Sequence, residues 1–149
     1  MSDPHKKPPR SAAVSLAKIV YWLIEEWCAR AIESRKGAML LCDRYYHDLL
    51  IDPKRYRYGG PLWAAQTIGH LMPRPNLWIL LDAPVEVLQA RKQEVTWEES
   101  DRQLRGYLSF VKKQQQAVII DASNPIPQVV EEIVGVIQEA LRSNETSVA

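Results

Sequence analysis

Short apolar runs and helical stretches alternate along most of this chain. Three of the runs end in an aspartate: residues 38–42 precede Asp43, residues 77–81 precede Asp82, and residues 117–120 precede Asp121. Four or five consecutive apolar residues without polar alternation are typical of a strand covered on both faces of a parallel sheet. We therefore predict three strands, each with a carboxylate at its carboxyl end.

The residues between these strands show the periodicity of amphipathic helices. The expected helix boundaries coincide with prolines and with the capping-box spacing of Thr96 and Glu99. Helices are expected over residues 14–34, 61–72 and 84–92, from Thr96 through Val111, and after Pro125. The core stripe predicted for the first helix is Leu16, Val20, Leu23, Trp27 and Ala31, and for the last helix Val130, Ile133, Val134, Ile137 and Leu141. This order of elements predicts an α/β fold with parallel strands.

Length and composition narrow the class of protein. The 149 residues fit one domain; we expect a flexible lead-in over residues 1–12, one domain over 13–142 and a flexible tail over 143–149. The net charge of +1 argues against a dedicated nucleic-acid-binding protein. No apolar run reaches membrane-span length, which predicts no membrane association. Cys28 and Cys42 show no metal-binding spacing, and reduced thiols favour a cytoplasmic location.

The first candidate site is the pair Asp43 and Arg44, directly after the first predicted strand. Ligands of open parallel sheets bind beyond the carboxyl ends of the strands. A carboxylate there can hold Mg²⁺ directly or through water, and an arginine can contact phosphate oxygens. The alternative is a turn with a solvated ion pair.

A second group of candidates lies in the irregular segment that follows. Charged and aromatic residues alternate here before Gly59-Gly60-Pro61, which is expected to end the segment. The candidates are Tyr45, Arg55, Arg57 and Tyr58. Such a loop can bind an anionic, planar ligand by charge and stacking. It can equally be a solvated loop with its aromatic rings packed beneath it. Arg102 and Arg105 share one helix face. They could contact a phosphate, or they could belong to a solvated charged face.

Several of these segments together resemble the thymidylate kinase family. Asp43-Arg44-Tyr45 is similar to that family's Asp-Arg-Tyr motif, and residues 74–84, with Val87, Leu88 and Arg91, are similar to its fourth strand and the start of its lid. Arg102, Arg105 and Tyr107-Leu108 resemble the helix beside the lid, and residues 118–125 resemble the loop beside adenine and the start of the final helix. The resemblance extends in order from about residue 14 to residue 141.

This resemblance implies a P-loop NTPase-like fold, with a three-layer parallel sheet and helices on both faces. It implies transfer of the γ-phosphoryl group of ATP, with Mg²⁺, to a nucleoside monophosphate or similar acceptor. Asp43 would be the metal-side carboxylate, Arg44 a phosphate-positioning group and Arg91 the arginine of a lid over about residues 91–105. Arg102 and Arg105 would contact cofactor phosphates, and Asp121, Ser123 and Pro125 would border adenine. Tyr45, Arg55, Arg57 and Tyr58 would bind the acceptor.

Two features depart from the family pattern. None of the six glycines has the G-x-x-x-x-G-K-[ST] spacing of a phosphate-binding loop, so we expect the fold to be incomplete at its N-terminus and the polypeptide to be inactive as a kinase by itself. The Ser and Ala-Tyr-Gln residues that contact the nucleoside in the family are also unmatched. A non-catalytic nucleotide- or phosphate-binding protein is therefore a second hypothesis. A structural or interaction protein, such as a homodimer using the surface left by a missing strand, is a third.

Overall fold

The computed structural model describes residues 7–36, 39–91 and 95–146. The chain divides into two compact units, Met1–Arg74 and Pro75–Ala149. The first unit is helical, and the second combines helices with a parallel sheet. Across the described ranges, no helix is both long enough and apolar enough to cross a membrane.

The described residues of the first unit form three helices: α1 (Ala12–Lys36), α2 (Asp48–Ile51) and α3 (Leu62–Leu71). Both α1 and α2 pack against α3. Tyr46, just before α2, lies in the middle of the core with no exposed surface, and its neighbours are Ile19, Leu49, Ala65 and Met72. A turn residue rather than a strand therefore organises the packing of this unit.

Only part of the apolar stripe predicted for α1 is buried. The helix packs through Ser15 and Ile19, while Val20 and Trp27 are about half exposed. Apolar residues occur on more than one side of this helix, so helical periodicity predicts the element without selecting the face that packs. Two other boundaries also differ from the prediction: α1 begins at Ala12 inside the expected lead-in, and residues 48–51 form the short helix α2 inside the expected loop.

The strand predicted over residues 38–42 is wrong for the part that the structure describes. Residues 39–42 have no strand assignment, and Leu41 is 74% exposed; residues 37 and 38 lie outside the described ranges. A strand needs a neighbour that accepts and donates its backbone hydrogen bonds. Among the described residues, the sheet has only two strands, and residues 39–42 pair with neither.

Within its described residues, the second unit contains this sheet and three helices: β1 (Trp78–Asp82), α4 (Val85–Arg91), α5 (Trp97–Val111), β2 (Ala117–Asp121) and α6 (Ile126–Thr146). The two strands are parallel and in register, from Trp78 beside Ala117 to Asp82 beside Asp121. The helix α5 packs on α4 and on β1, where the Trp78 and Phe110 rings meet edge to face at 5.0 Å, and α6 packs on β2. The α/β class and the parallel direction are confirmed, whereas the described sheet does not extend to the three-layer arrangement.

Local sequence signals account for the helix boundaries of this unit. The Thr96 side chain accepts a hydrogen bond from the Glu99 backbone N–H at 3.3 Å, which confirms the predicted cap of α5. The last helix reaches Thr146, past the residue at which a tail was expected. Of its predicted stripe, Val130, Val134 and Leu141 are about half exposed, because α6 packs on β2 through the side that carries Val129.

Candidate functional site

The Asp43–Arg44 turn lies in the first unit between α1 and α2. Arg44 has a left-handed backbone (φ 75°), a conformation that is uncommon for residues other than glycine. Its Nη1 donates to Asp48 Oδ2 at 2.8 Å, and the Arg44 side chain is 43% exposed. Asp43 is exposed beside it. The turn thus presents a carboxylate and a guanidinium of fixed position at the surface of the unit.

Two tyrosines anchor this turn to the core. The Tyr45 hydroxyl donates to the Pro73 carbonyl at 2.6 Å, and the Tyr46 hydroxyl donates to the Ala65 carbonyl at 2.9 Å. Burial raises the pKa of both phenols well above the usual range, so both hydroxyls keep the proton that they donate. Trp22 of α1 contacts the Tyr46 ring edge to face at 5.3 Å. Tyr45, predicted to bind substrate, therefore has a structural role in this arrangement.

The Arg–Tyr segment, residues 52–61, packs beside the same turn. Asp52 is 2% exposed and its Oδ1 accepts a hydrogen bond from the Arg55 backbone N–H at 3.2 Å. Tyr56 is within 3.4 Å of Asp48 Oδ2, and burial together with that carboxylate raises its pKa to about 12. Both Arg44 and Arg55 are close enough to Tyr56 to oppose this increase. The first unit therefore brings Arg44 and Arg55 together around Asp48 and Tyr56.

The remaining two predicted residues of this segment, Arg57 and Tyr58, line a cleft of about 460 Å³. Arg57 also has a left-handed backbone (φ 53°), and its Nε donates to the Pro8 carbonyl at 3.0 Å. The Tyr58 hydroxyl donates to the Pro61 carbonyl at 3.0 Å. Residues of the expected lead-in thus pack against this segment.

In the second unit, two of the predicted arginines form ion pairs within α5. Arg102 donates through Nε and Nη2 to the Glu99 carboxylate at 2.8 and 2.7 Å, and Arg105 pairs with Asp101. Either arginine would have to leave or share its carboxylate in order to contact a phosphate. Arg91, at the end of α4, is exposed and has no carboxylate partner in the described part of the chain.

Asp121 and Ser123 form the turn that follows β2. Asp121 Oδ1 accepts hydrogen bonds from the Ser123 backbone N–H at 2.8 Å and from its hydroxyl at 2.5 Å. These two bonds hold the pKa of the Asp121 carboxyl below its usual value. Pro125 directly precedes α6. The predicted group Asp121, Ser123 and Pro125 is therefore one compact turn at the carboxyl end of the sheet.

Sequence comparison gives one relationship. Over 117 residues, the chain is 31% identical to a "Probable thymidylate kinase" of Pyrococcus abyssi (strain GE5 / Orsay), and the match covers 71% of this chain and 55% of the relative. Over this part, the chain is similar to that relative. It spans about half the length of the curated relative that it matches. No protein-family model matches the chain, and no solved structure matches it.

The predicted metal role of Asp43 does not require a full set of protein ligands. In the described part of the chain, no group of three or more His, Cys, Asp or Glu side chains could hold a metal ion. Magnesium, however, is commonly bound through one or two carboxylates together with waters and substrate phosphates. The exposed Asp43 carboxylate would be one such ligand, and its role in binding Mg²⁺ stays a prediction.

Three acidic side chains near the candidate residues were not predicted as site residues. Asp48 positions Arg44, and the spacing of four between them is a recognisable sequence signal. Asp52 is the buried carboxylate beneath the Arg–Tyr segment. Asp82 is in register with Asp121, and one of its oxygens is buried without a hydrogen-bond partner in the described residues. Two strands that each end in aspartate already indicated that pairing.

Proposed function

We propose that this chain is the acceptor-binding and lid-bearing part of a thymidylate kinase-like phosphotransferase, which moves the γ-phosphoryl group of ATP to a nucleoside monophosphate or a similar acceptor. The observation that carries the proposal is the Asp43–Arg44 turn, in which an exposed carboxylate lies beside a guanidinium held by Asp48 at 2.8 Å. The 31% identity to a probable thymidylate kinase supports it.

In this proposal, the first unit supplies the groups at the reacting phosphates. Arg44 would position phosphate oxygens, since a guanidinium can pair with phosphate through two parallel N–H···O hydrogen bonds. Asp43 would hold Mg²⁺, which when bound reduces the negative charge of the phosphates. Tyr45 and Tyr46 would act indirectly, by fixing the turn to the core. Arg55, Arg57 and Tyr58 would bind the acceptor.

The second unit would supply cofactor contacts. Arg91 is the stronger candidate for a phosphate contact because its guanidinium is exposed, whereas Arg102 and Arg105 already form ion pairs within α5. Asp121, Ser123 and Pro125 would border the adenine, with the turn kept in shape by the two hydrogen bonds to Asp121.

We expect this polypeptide to bind ATP and not to catalyse phosphoryl transfer. Its 149 residues contain no G-x-x-x-x-G-K-[ST] loop, whose backbone N–H groups and lysine hold the β and γ phosphates. We therefore expect saturable ATP binding without measurable phosphoryl transfer by this polypeptide alone. Titration calorimetry should show ATP binding that weakens in Arg44→Ala and in Arg91→Ala, with Lys113→Gln, an exposed site on the second unit, as the matched control.

The metal role has its own test. Mg²⁺ should strengthen ATP binding to the wild-type chain, and Asp43→Asn should remove that increase while ATP binding without the metal is retained. Equal Mg²⁺ dependence in both proteins would exclude Asp43 as the metal-side carboxylate.

A second candidate function is a nucleotide- or phosphate-binding protein that performs no transfer, since arginines such as Arg44 and Arg91 can contact a phosphate without transferring it. An assay for nucleoside diphosphate formation from ATP and thymidine monophosphate can exclude the second candidate if turnover is seen, whereas no turnover is expected under both. Turnover that is abolished in Asp43→Ala would support the phosphotransferase and contradict the expected inactivity of this polypeptide.

A further inference from the structure

The cleft of about 460 Å³ in the first unit has a composition that identifies the kind of ligand it suits. Its lining is Lys7, Pro8, Pro9, Pro53, Lys54, Arg57 and Tyr58. Three of these seven residues are cationic and none is acidic. The other four offer proline rings and one aromatic ring. Cavities of roughly 300–1,000 Å³ are the size of sites for small molecules.

The cations of this cleft are not neutralised by a carboxylate in the described residues. Lys7 and Lys54 are exposed, and the Arg57 Nε donates to the neutral Pro8 carbonyl at 3.0 Å. Three positive charges around one concave surface repel one another unless an anion is present. The cleft therefore favours a negatively charged occupant.

Backbone contacts hold the N-terminal segment, residues 7–10, in place as one wall of the cleft. The Arg10 backbone N–H donates to the Arg57 carbonyl at 2.9 Å, and the Gly59 N–H donates to the Ser15 hydroxyl at 3.0 Å. A Cβ at Gly59 would lie 2.0 Å from the Arg10 carbonyl oxygen, so only glycine permits this approach. Arg57 adopts its left-handed backbone (φ 53°) at the same place. Such a conformation costs free energy and is commonly found where a site requires it.

We propose that this cleft binds the phosphate-monoester end of the acceptor, with the N-terminal segment as one of its walls. The proposal rests on the proposed function in taking the ligand to be the acceptor. Lys7, Lys54 and Arg57 would contact the phosphate, and the proline rings with Tyr58 would contact the apolar or planar part of the ligand. Residues 7–10 would then be part of the binding site.

The test measures the affinity of thymidine monophosphate, thymidine and inorganic phosphate for the full 149-residue chain by titration calorimetry. The test variant is the double substitution Lys7→Gln and Lys54→Gln, because both side chains are exposed and neither side chain forms a hydrogen bond within the described part of the chain. The control is Lys112→Gln with Lys113→Gln, which removes two exposed positive charges from the second unit.

We expect thymidine monophosphate to bind more tightly than thymidine and than phosphate. The double variant should weaken its binding by roughly tenfold while the control leaves it unchanged. Gly59→Ala, which displaces the wall without altering charge, should weaken it too. Equal binding of thymidine and its monophosphate, or equal affinity in the wild type and the double variant, would overturn the proposal.

ATP binding distinguishes this inference from the proposed function. If Arg44→Ala weakens ATP binding while the double lysine variant changes no affinity, the cleft assignment is wrong and the phosphate role of Arg44 stands. If the double variant weakens thymidine monophosphate binding while Arg44→Ala has no effect on ATP, the cleft is supported and the proposed role of Arg44 fails.

Discussion

Replacing Tyr46 by phenylalanine removes one buried hydrogen bond from the core of the first unit and leaves its ring in place. The hydroxyl donates to the Ala65 carbonyl at 2.9 Å, and Tyr46 has no exposed surface. Ala65 lies inside α3, so its carbonyl keeps the helical hydrogen bond after the substitution. The loss should therefore be close to the net value of one hydrogen bond, about 1 kcal/mol in the free energy of unfolding.

The assay is urea denaturation followed by the fluorescence of the tryptophans, because Trp22 contacts the Tyr46 ring at 5.3 Å. Tyr21→Phe is the matched control: Tyr21 is on the same unit, is 65% exposed, and should change the free energy of unfolding by less than about 0.5 kcal/mol. An equal denaturant slope in all three proteins keeps the comparison valid. If Tyr46→Phe were as stable as Tyr21→Phe, the anchoring of the Asp43–Arg44 turn through Tyr46 would be refuted.

Four further substitutions test separate parts of the structure. Gly59→Ala should destabilise the first unit by about 1–3 kcal/mol, because the added Cβ would overlap the Arg10 carbonyl. Gly135→Ala should stabilise the second unit by about 0.5–1 kcal/mol, because Gly135 lies within α6 with open space around it. Urea denaturation measures both changes. Burial lowers the pKa of His47 in the folded chain below 6.5. Between this lowered pKa and 6.5, the unfolded chain therefore binds more protons than the folded chain does. Stability should therefore fall as the pH falls from about 6.5 towards the lowered folded-state pKa, and His47→Asn should remove this component when unfolding is measured from pH 7.5 to 5. Thr96→Ala should cost about 0.5–1 kcal/mol by removing the cap of α5, seen as faster hydrogen exchange in its first turn.

Local sequence signals predicted most of the second unit. Strands β1 and β2 follow from continuous apolar runs, and α5 follows from the cap at Thr96, since each signal lies within a few neighbouring residues. The run at residues 38–42 has the same apolar pattern but no strand partner in the described residues, so the pattern alone was insufficient there. Whether an apolar run forms a strand depends on residues far along the chain.

In the candidate site too, contacts between neighbouring residues could be predicted from the sequence, whereas contacts between distant residues could not. Adjacent Asp43 and Arg44 were recognisable in the sequence, and the spacing from Arg44 to Asp48 already permits an ion pair. The approach of Arg10 to Gly59 joins residues 49 positions apart, and no local pattern predicts it. The cleft formed by residues 7–9 and 53–58 could therefore be found only in the folded structure.

The most direct test of the account is the ATP affinity of the wild-type chain and of Arg44→Ala, measured by titration calorimetry in the presence of Mg²⁺. Loss of a charge-assisted contact to phosphate should weaken binding by roughly tenfold or more, while Lys113→Gln binds as the wild type does. Equal affinities in wild type and Arg44→Ala, or no ATP binding by any of the three proteins, would contradict the claim that the Asp43–Arg44 turn is a phosphate-binding centre.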